Sequence, residues 1–186
     1  TQMRTIIDPV GPETLRPIFR DVFRQVQRGK VLEQFVCLEG CYLLSLDGTG
    51  YFSSNKVHCP SCLRRVSGSG EVTWHHQMLG AALVHPDLKE VIPLCPEPII
   101  QQDGHTKNDC ERNAARRFLA AFRRDHPHLP VIVVEDGLSS NGPHIRDLVD
   151  HRMHFILGVQ PGDHRALFEH VGLRESVGAV THVTIR

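Results

Sequence analysis

The sequence predicts an α/β domain in which helices flank a mixed β-sheet. Three strand patterns, at 42–47, 72–84 and 88–94, fall in the first half of the chain. From residue 108 onward, helix and strand patterns alternate. A start made of antiparallel strands followed by βαβ alternation is typical of a mixed sheet covered by helices. A chain of 186 residues is long enough for one such domain with a hydrophobic core.

The composition is that of an ordinary globular protein, with 40% apolar and 23% charged residues. Lysine plus arginine and aspartate plus glutamate number 21 each, so net charge alone does not indicate a nucleic-acid-binding protein. The chain has no apolar run of about 18 residues and no signal-peptide pattern at its start. We therefore expect a cytoplasmic protein without a membrane partner.

The N-terminal part is predicted to be helical. Apolar residues at helical spacing predict an amphipathic helix over 14–28, which tolerates Pro17 near its start. A short helical or extended piece is expected over 31–39. We interpret residues 1–40 as a small helical section that precedes the α/β domain.

The strands of the first half are separated by a polar segment. A strand at Tyr42 to Asp47 is followed by SSNKVHCPSCLRRVSGSGE at 53–71, which predicts a long hairpin loop or an inserted knuckle. Together with His75 and His76, which follow the polar segment, the possible knuckle insertion spans 53–76. Strand patterns return at 72–84 and at 88–94.

The second half begins with a helix over 108–125, where Asn108 and Glu111 form a capping box. VIVVEDG at 131–137 contains four consecutive β-branched residues, which predict a central strand buried on both faces. The remaining predicted elements are a helix at 143–151, a strand at 153–159, a short helix near 163–170 and a strand at 177–186. This order is that of the ribonuclease-H-like fold, although other α/β folds share it.

Two strands end in an aspartate followed by glycine, at Asp47 and at Asp136. In a ribonuclease-H-like sheet the two strands are parallel neighbours, and ligands bind at the carboxyl ends of such strands. Two close carboxylates repel one another unless a cation lies between them. The pair therefore predicts a site for Mg²⁺ or Mn²⁺, ions that can activate phosphodiester cleavage. The alternative is that both residues serve turns, because Asp-Gly is a common turn pair.

Four blocks of sequence carry a resemblance: LLSLDGTGYFSSNKVHCPSC, HHQMLGAALVHPDLKEVIPLCPEPI, KNDCERNAARRFL and VIVVEDGLSSNGPHI. Together, and in this order, they resemble bacterial insertion-sequence transposases of the DDE type over about residues 40–170. The resemblance implies a ribonuclease-H-like core over 41–186, with Asp47 as the first catalytic acid and Asp136 as the second. It also implies magnesium or manganese as cofactor, double-stranded DNA as substrate (element ends and target), and action as a dimer or larger assembly on DNA.

The third acid of that family is a glutamate on a later helix, and it has no match after Asp136. Glu169 and Glu175 lie too early and lack the surrounding pattern. We therefore expect an incomplete core that ends at Arg186 before that helix and is inactive, or nearly so, alone. Glu111 is an alternative metal ligand, because the corresponding helix carries an acid in ribonucleases of this fold, but the capping box already explains it.

A second metal site is predicted in the polar segment. Cys59 and Cys62 form a CxxC, the usual tight half of a zinc site, and His76 follows at a common spacing. His58 or His75 could take part as well. The alternative is two reduced cysteines in a flexible hairpin, the ordinary state of cysteine inside cells.

The helix ERNAARRFLAAFRR is basic, with five arginines against one glutamate. Such a helix could follow a DNA backbone, and a solvated helix surface is the alternative. The five candidates for DNA binding are Arg112, Arg116, Arg117, Arg123 and Arg124. Because DNA binding through these arginines does not require catalysis, a second function remains open. The chain could be a non-catalytic DNA-binding or domesticated transposase remnant with structural zinc. Salt-dependent DNA binding is expected for both functions.

Overall fold

The structure is a computed structural model, and it describes residues 11–100 and 111–182. It begins with helix α1 (Pro12–Arg28), which confirms the first predicted helix. A 3₁₀ helix follows at Val31–Phe35, within the segment predicted to be helical or extended. In the described part of the chain, no helix is both long enough and apolar enough to cross a bilayer.

Two long strands, β1 (Tyr42–Ser54) and β3 (Val72–Val84), form an antiparallel hairpin of 13 residues on each side. The polar segment between them contains the short strand β2 (Leu63–Val66), which pairs with the outer end of β3. Strands β4 (Ile92–Pro93) and β5 (Glu97–Ile99) pair farther along β3. The third strand predicted for the first half is therefore much shorter than expected, because proline has no N–H to donate to a sheet.

In the second half of the chain, helices and strands alternate as predicted up to the last helix. The elements are α2 (Glu111–Asp125), β6 (Val131–Glu135), α3 (Gly142–Asp150), β7 (His154–Leu157) and α4 (Arg165–Ser176). The strand predicted at 177–186 is not found over 177–182, which form a turn and irregular backbone. The last four residues of this predicted strand, 183–186, and the predicted helix cap Asn108 lie outside the described residues.

All seven strands belong to one mixed sheet with the central order β2-β3-β1-β6-β7. Strand β1 pairs in parallel with β6, from Tyr42 opposite Val131 to Ser45 opposite Val134. Strand β7 then pairs in parallel with β6. The prediction that the first strand lies parallel to the strand after the long helix is confirmed, and so is the burial of β6.

The hydrophobic core lies between the sheet and α2. One face of α2 is buried and packs against β3 and β5. In the sheet, the core includes Leu44, Leu83 and Val133, none of which is accessible to solvent. This packing fixes the start of α2 near the middle of β1, where the candidate site lies.

Candidate functional site

An open cleft of about 380 Å³ lies where the parallel pairing of β1 and β6 ends. Residues from six elements and from the loop after β6 line it. Four of the lining residues are acids: Asp47, Glu111, Glu135 and Asp136. The structure therefore brings the two predicted aspartates to one cleft, together with two further carboxylates.

The two aspartates are held differently. Asp47 lies within β1, opposite Gly80 of β3, and the strand continues beyond it to Ser54. Asp47 is therefore not a turn residue. Asp136 follows β6 directly, and its Oδ1 accepts a hydrogen bond from the Leu138 N–H at 3.0 Å. This bond closes a turn and leaves the second carboxylate oxygen of Asp136 for another partner.

Glu111 is the first residue of α2, and its carboxylate lies directly against Gly48. A Cβ atom at position 48 would collide with that carboxylate, so glycine provides the space that Glu111 occupies. Burial raises the pKa of Glu111, and the negative charges of Asp47, Asp136 and Glu135 raise it further. The acids of the cleft are thus close enough to repel one another.

Such a set of carboxylates suits a hard divalent cation. A cation would offset the repulsion that raises the Glu111 pKa. Mg²⁺ keeps several waters and takes only one or two protein carboxylates, so it does not require all of the acids to converge. The residues of the cleft therefore fit the magnesium or manganese predicted from the sequence.

Glu135 and His144 form a buried pair behind the acids. Glu135 Oε2 lies 2.5 Å from His144 Nε2, and its Oε1 accepts a hydrogen bond from Ser139 Oγ at 3.1 Å. The backbone N–H of His144 donates to the side chain of Asn141, which caps α3. These contacts fix the loop that carries Asp136. The sequence analysis missed this pair, and the signal for it was the glutamate directly before Asp136.

Two of the five arginines proposed for DNA binding have structural contacts within the chain. Arg117 donates to Glu97 at 2.7 Å and ties α2 to β5. Arg123 donates to the backbone carbonyls of His151 and Leu129 at 2.9 and 3.0 Å. Both side chains therefore contribute to packing around the helix.

The other three arginines differ in environment. Arg116 forms a 2.8 Å ion pair with Asp147, and the Arg124 side chain lies 3.6 Å from Asp125. Arg112 lines the acidic cleft. At about 100° per residue, Arg112, Arg116 and Arg123 lie within about 40° of one another on α2. Arg117 and Arg124 form a second group about 80° or more away, so the five arginines occupy two stripes of the helix.

Three predicted zinc ligands meet at the outer end of the β1–β3 hairpin. The sulfurs of Cys59 and Cys62 lie 3.7 Å apart, and His76 Nε2 lies 3.3 and 3.2 Å from them. Among the described residues, this is the one set of three histidine, cysteine or acidic ligand atoms that lie within 4.8 Å of one another. Two thiols and an imidazole form a donor set that can bind zinc.

A second groove, of about 410 Å³, runs along the hairpin between the acidic cleft and the knuckle. It shares Arg65 and Gln77 with the cleft, and Tyr51 and His75 line it farther out. The two grooves thus form one continuous surface along the hairpin.

No protein-family model matches the chain, and a search of curated proteins found no match. A search of solved structures found similarity to the cryo-EM structure of the piggyBac transposase synaptic complex with hairpin DNA. The TM-score is 0.39 with 15% sequence identity, and the match covers 82% of this chain and 31% of that chain. A TM-score this low does not establish a shared fold.

Proposed function

We propose that this chain is a catalytic core of a DDE-type transposase, in which Asp47, Asp136 and Glu111 bind Mg²⁺ or Mn²⁺ for cleavage of DNA. The observation that carries the proposal is that these acids, from three separate elements, line one cleft and act on the pKa of Glu111. Structural acids are more often dispersed over a surface, because grouping them raises the free energy of the folded chain.

A ribonuclease-H-like fold is part of the proposal. Its support is the pairing pattern, in which β1 is antiparallel to β3 on one side and parallel to β6 on the other. The long helix α2 lies between these strands in the chain and carries an acid at its first residue. Each feature agrees with the order predicted from the sequence.

The three acids have distinct roles in the proposed site. Asp47, at the centre of the sheet, and Asp136, at the end of β6, would hold the ions, and Glu111 would add a third carboxylate from the helix. When bound, the ions supply activation of a water nucleophile and stabilisation of the leaving oxygen of the phosphodiester. The buried Glu135–His144 pair keeps Asp136 in place. Glu111 does not replace the third acid of the transposase family, which lies on a later helix.

The DNA would enter along the continuous surface formed by the cleft and the hairpin groove. Arg65 and Arg112 line the cleft beside the acids and offer guanidinium groups to phosphate oxygens. In the proposed reaction, hydrolysis at an element end frees a 3′-hydroxyl, which then attacks target DNA.

Binding of Mn²⁺, followed by electron paramagnetic resonance, tests the site without requiring turnover. We expect Asp47→Asn and Asp136→Asn each to weaken Mn²⁺ binding by about tenfold or more. Asp87→Asn is the matched control, since that side chain is 89% exposed and does not line the cleft. Equal Mn²⁺ binding by all four proteins would contradict the proposal.

Because a core without the third acid of the family is expected to be inactive or nearly so, a plasmid-nicking assay in Mn²⁺ separates the catalytic function from the non-catalytic one after a segment carrying that acid is joined to the chain. Cleavage that Asp47→Asn abolishes, with DNA binding retained, supports a nuclease core. Salt-dependent DNA binding without Mn²⁺ binding at the cleft would instead favour a DNA-binding remnant.

A further inference from the structure

We propose that Cys59 Sγ, Cys62 Sγ and His76 Nε2 bind one zinc ion, which fastens the outer end of the β1–β3 hairpin. This site is separate from the acidic cleft, and it does not depend on the function proposed for that cleft. The inference specifies the ligand set that the sequence left open, and it assigns the ion a role in holding the hairpin groove.

The distances between the three ligand atoms are close to those of a tetrahedral zinc site. Zn–S bonds of about 2.3 Å and Zn–N bonds of about 2.0–2.1 Å place two sulfurs about 3.8 Å apart, and a sulfur about 3.6 Å from a nitrogen. The observed separations are 3.7 Å between sulfurs, and 3.3 and 3.2 Å from sulfur to nitrogen. A disulfide would require the sulfurs to lie about 2.05 Å apart.

The backbone of the CxxC turn holds the two cysteines together and directs one N–H at a sulfur. The N–H of Cys62 donates to the carbonyl of Cys59 at 3.1 Å and closes the turn. The N–H of Cys59 lies 3.2 Å from Cys62 Sγ and donates to it. This single donor favours the thiolate, the form of cysteine that binds metal, whereas burial acts in the opposite direction and raises the pKa of Cys62.

The structure also distinguishes among the three histidines of the segment. His76 lies on β3 opposite Phe52, and the Tyr51 ring stacks on it with centroids 5.7 Å apart. The His58 ring instead stacks on Trp74, with centroids 4.5 Å apart. His75 precedes His76 on the strand, so its side chain points to the opposite face and lines the hairpin groove.

Water fills the fourth coordination position in this proposal. Among the described residues, no fourth histidine, cysteine or acidic side chain joins the group. Zinc is usually four-coordinate; three protein ligands with one solvent molecule are the arrangement of catalytic zinc sites, whereas structural sites usually have four protein ligands.

The outer hairpin has little other means of stability. Between residues 51 and 77, only Cys62 and Leu63 are buried. A segment with so small an apolar core requires another constraint to remain ordered, and a metal ion is a common one. The zinc links the CxxC turn to β3, and the CxxC turn leads into β2. The ion therefore holds in place the wall of the hairpin groove, which includes Tyr51 and Arg65.

Metal analysis of the 186-residue chain, expressed with zinc and purified without chelator, tests the proposal. We expect about one zinc per chain, falling below about a tenth of an equivalent in Cys59→Ser, Cys62→Ser and His76→Gln. Cys95→Ser and His75→Gln are matched controls that should keep the ion. A wild-type content below about a tenth of an equivalent, or loss of zinc from His75→Gln equal to that from His76→Gln, would overturn the proposal.

A second measurement on the wild-type chain guards against misfolded variants. Replacement of zinc by Co²⁺ should give thiolate-to-cobalt charge-transfer absorption, and zinc should slow amide hydrogen exchange over 51–77 by about tenfold or more. Absence of the charge-transfer absorption, or exchange over 51–77 that does not respond to zinc, would contradict the ligand set and the role assigned to the ion.

Discussion

The acidic cleft and the CxxC knuckle are two candidate metal sites built in opposite ways. The knuckle draws its three ligands from one hairpin, within 18 residues of chain from Cys59 to His76. The cleft draws its acids from β1, α2 and the end of β6, which only the packed sheet and helix bring together. A local site depends on a turn and one strand pair, whereas a distributed site depends on the whole core.

The chemistry of the two sites differs as well. Thiolates and imidazole favour zinc, whereas carboxylates favour magnesium or manganese. The cleft is also electrostatically strained, because burial and then the charges of the other acids raise the pKa of Glu111. Changes to the cleft should therefore alter Mn²⁺ binding and stability while zinc content stays constant, and the reverse should hold for the knuckle.

The largest expected effect comes from breaking the buried pair behind the cleft. His144→Ala leaves the Glu135 carboxylate buried without its imidazole partner, and we expect a loss of about 1–3 kcal/mol in the free energy of unfolding. Urea denaturation followed by circular dichroism measures this loss. His151→Ala, at a half-buried position at the end of α3, is the control and should cost less. Equal losses would show that the pair has no special role.

A smaller effect is expected from adding a single methyl group in the cleft. Gly48→Ala places a Cβ where the Glu111 carboxylate lies, so this acid must move without being removed. We expect Mn²⁺ affinity to fall about tenfold, measured by electron paramagnetic resonance. Gly50→Ala is the matched control on the same strand, because its Cβ would meet no atom closer than 3.8 Å. If both variants bind Mn²⁺ like the wild type, Glu111 is not a ligand.

The smallest effect concerns the dependence of stability on pH in the absence of metal. The raised pKa of Glu111 means that the folded state holds this proton more tightly than the unfolded state, so stability falls as pH rises from the unfolded pKa through the folded pKa. Glu111→Gln removes that decline. At neutral pH without metal, the variant should be as stable as the wild type or more stable, by less than about 1 kcal/mol because the site is partly exposed.

Chemical denaturation at several pH values measures this difference. A variant that is less stable than the wild type throughout the pH range would show that the Glu111 carboxylate stabilises the fold, and would contradict the strain inferred for the cleft. Zinc content should be the same in both proteins, because Glu111 lies outside the knuckle.

Local patterns predicted most elements and failed where pairing depends on distant partners. The helical spacing over 14–28 and the β-branched run at 131–134 identified α1 and β6, because each pattern reports a buried face. The strand predicted at 88–94 is reduced to Ile92–Pro93, because its antiparallel partner β3 ends at Val84 and because proline has no N–H to donate. The burial of His144 was not predicted, because it depends on a contact with Glu135 across the loop.

The sequence by itself determined the order of the elements up to the last helix, the two Asp-Gly pairs and the CxxC with its histidine, because these are features of short segments. Only the tertiary structure decided that Glu111 joins the two aspartates and that His76, rather than His75, meets the cysteines. Packing of α2 on the sheet brings Glu111 to acids that are distant from it in the chain. The alternating faces of β3 place His76, and not His75, beside the cysteines of the same hairpin.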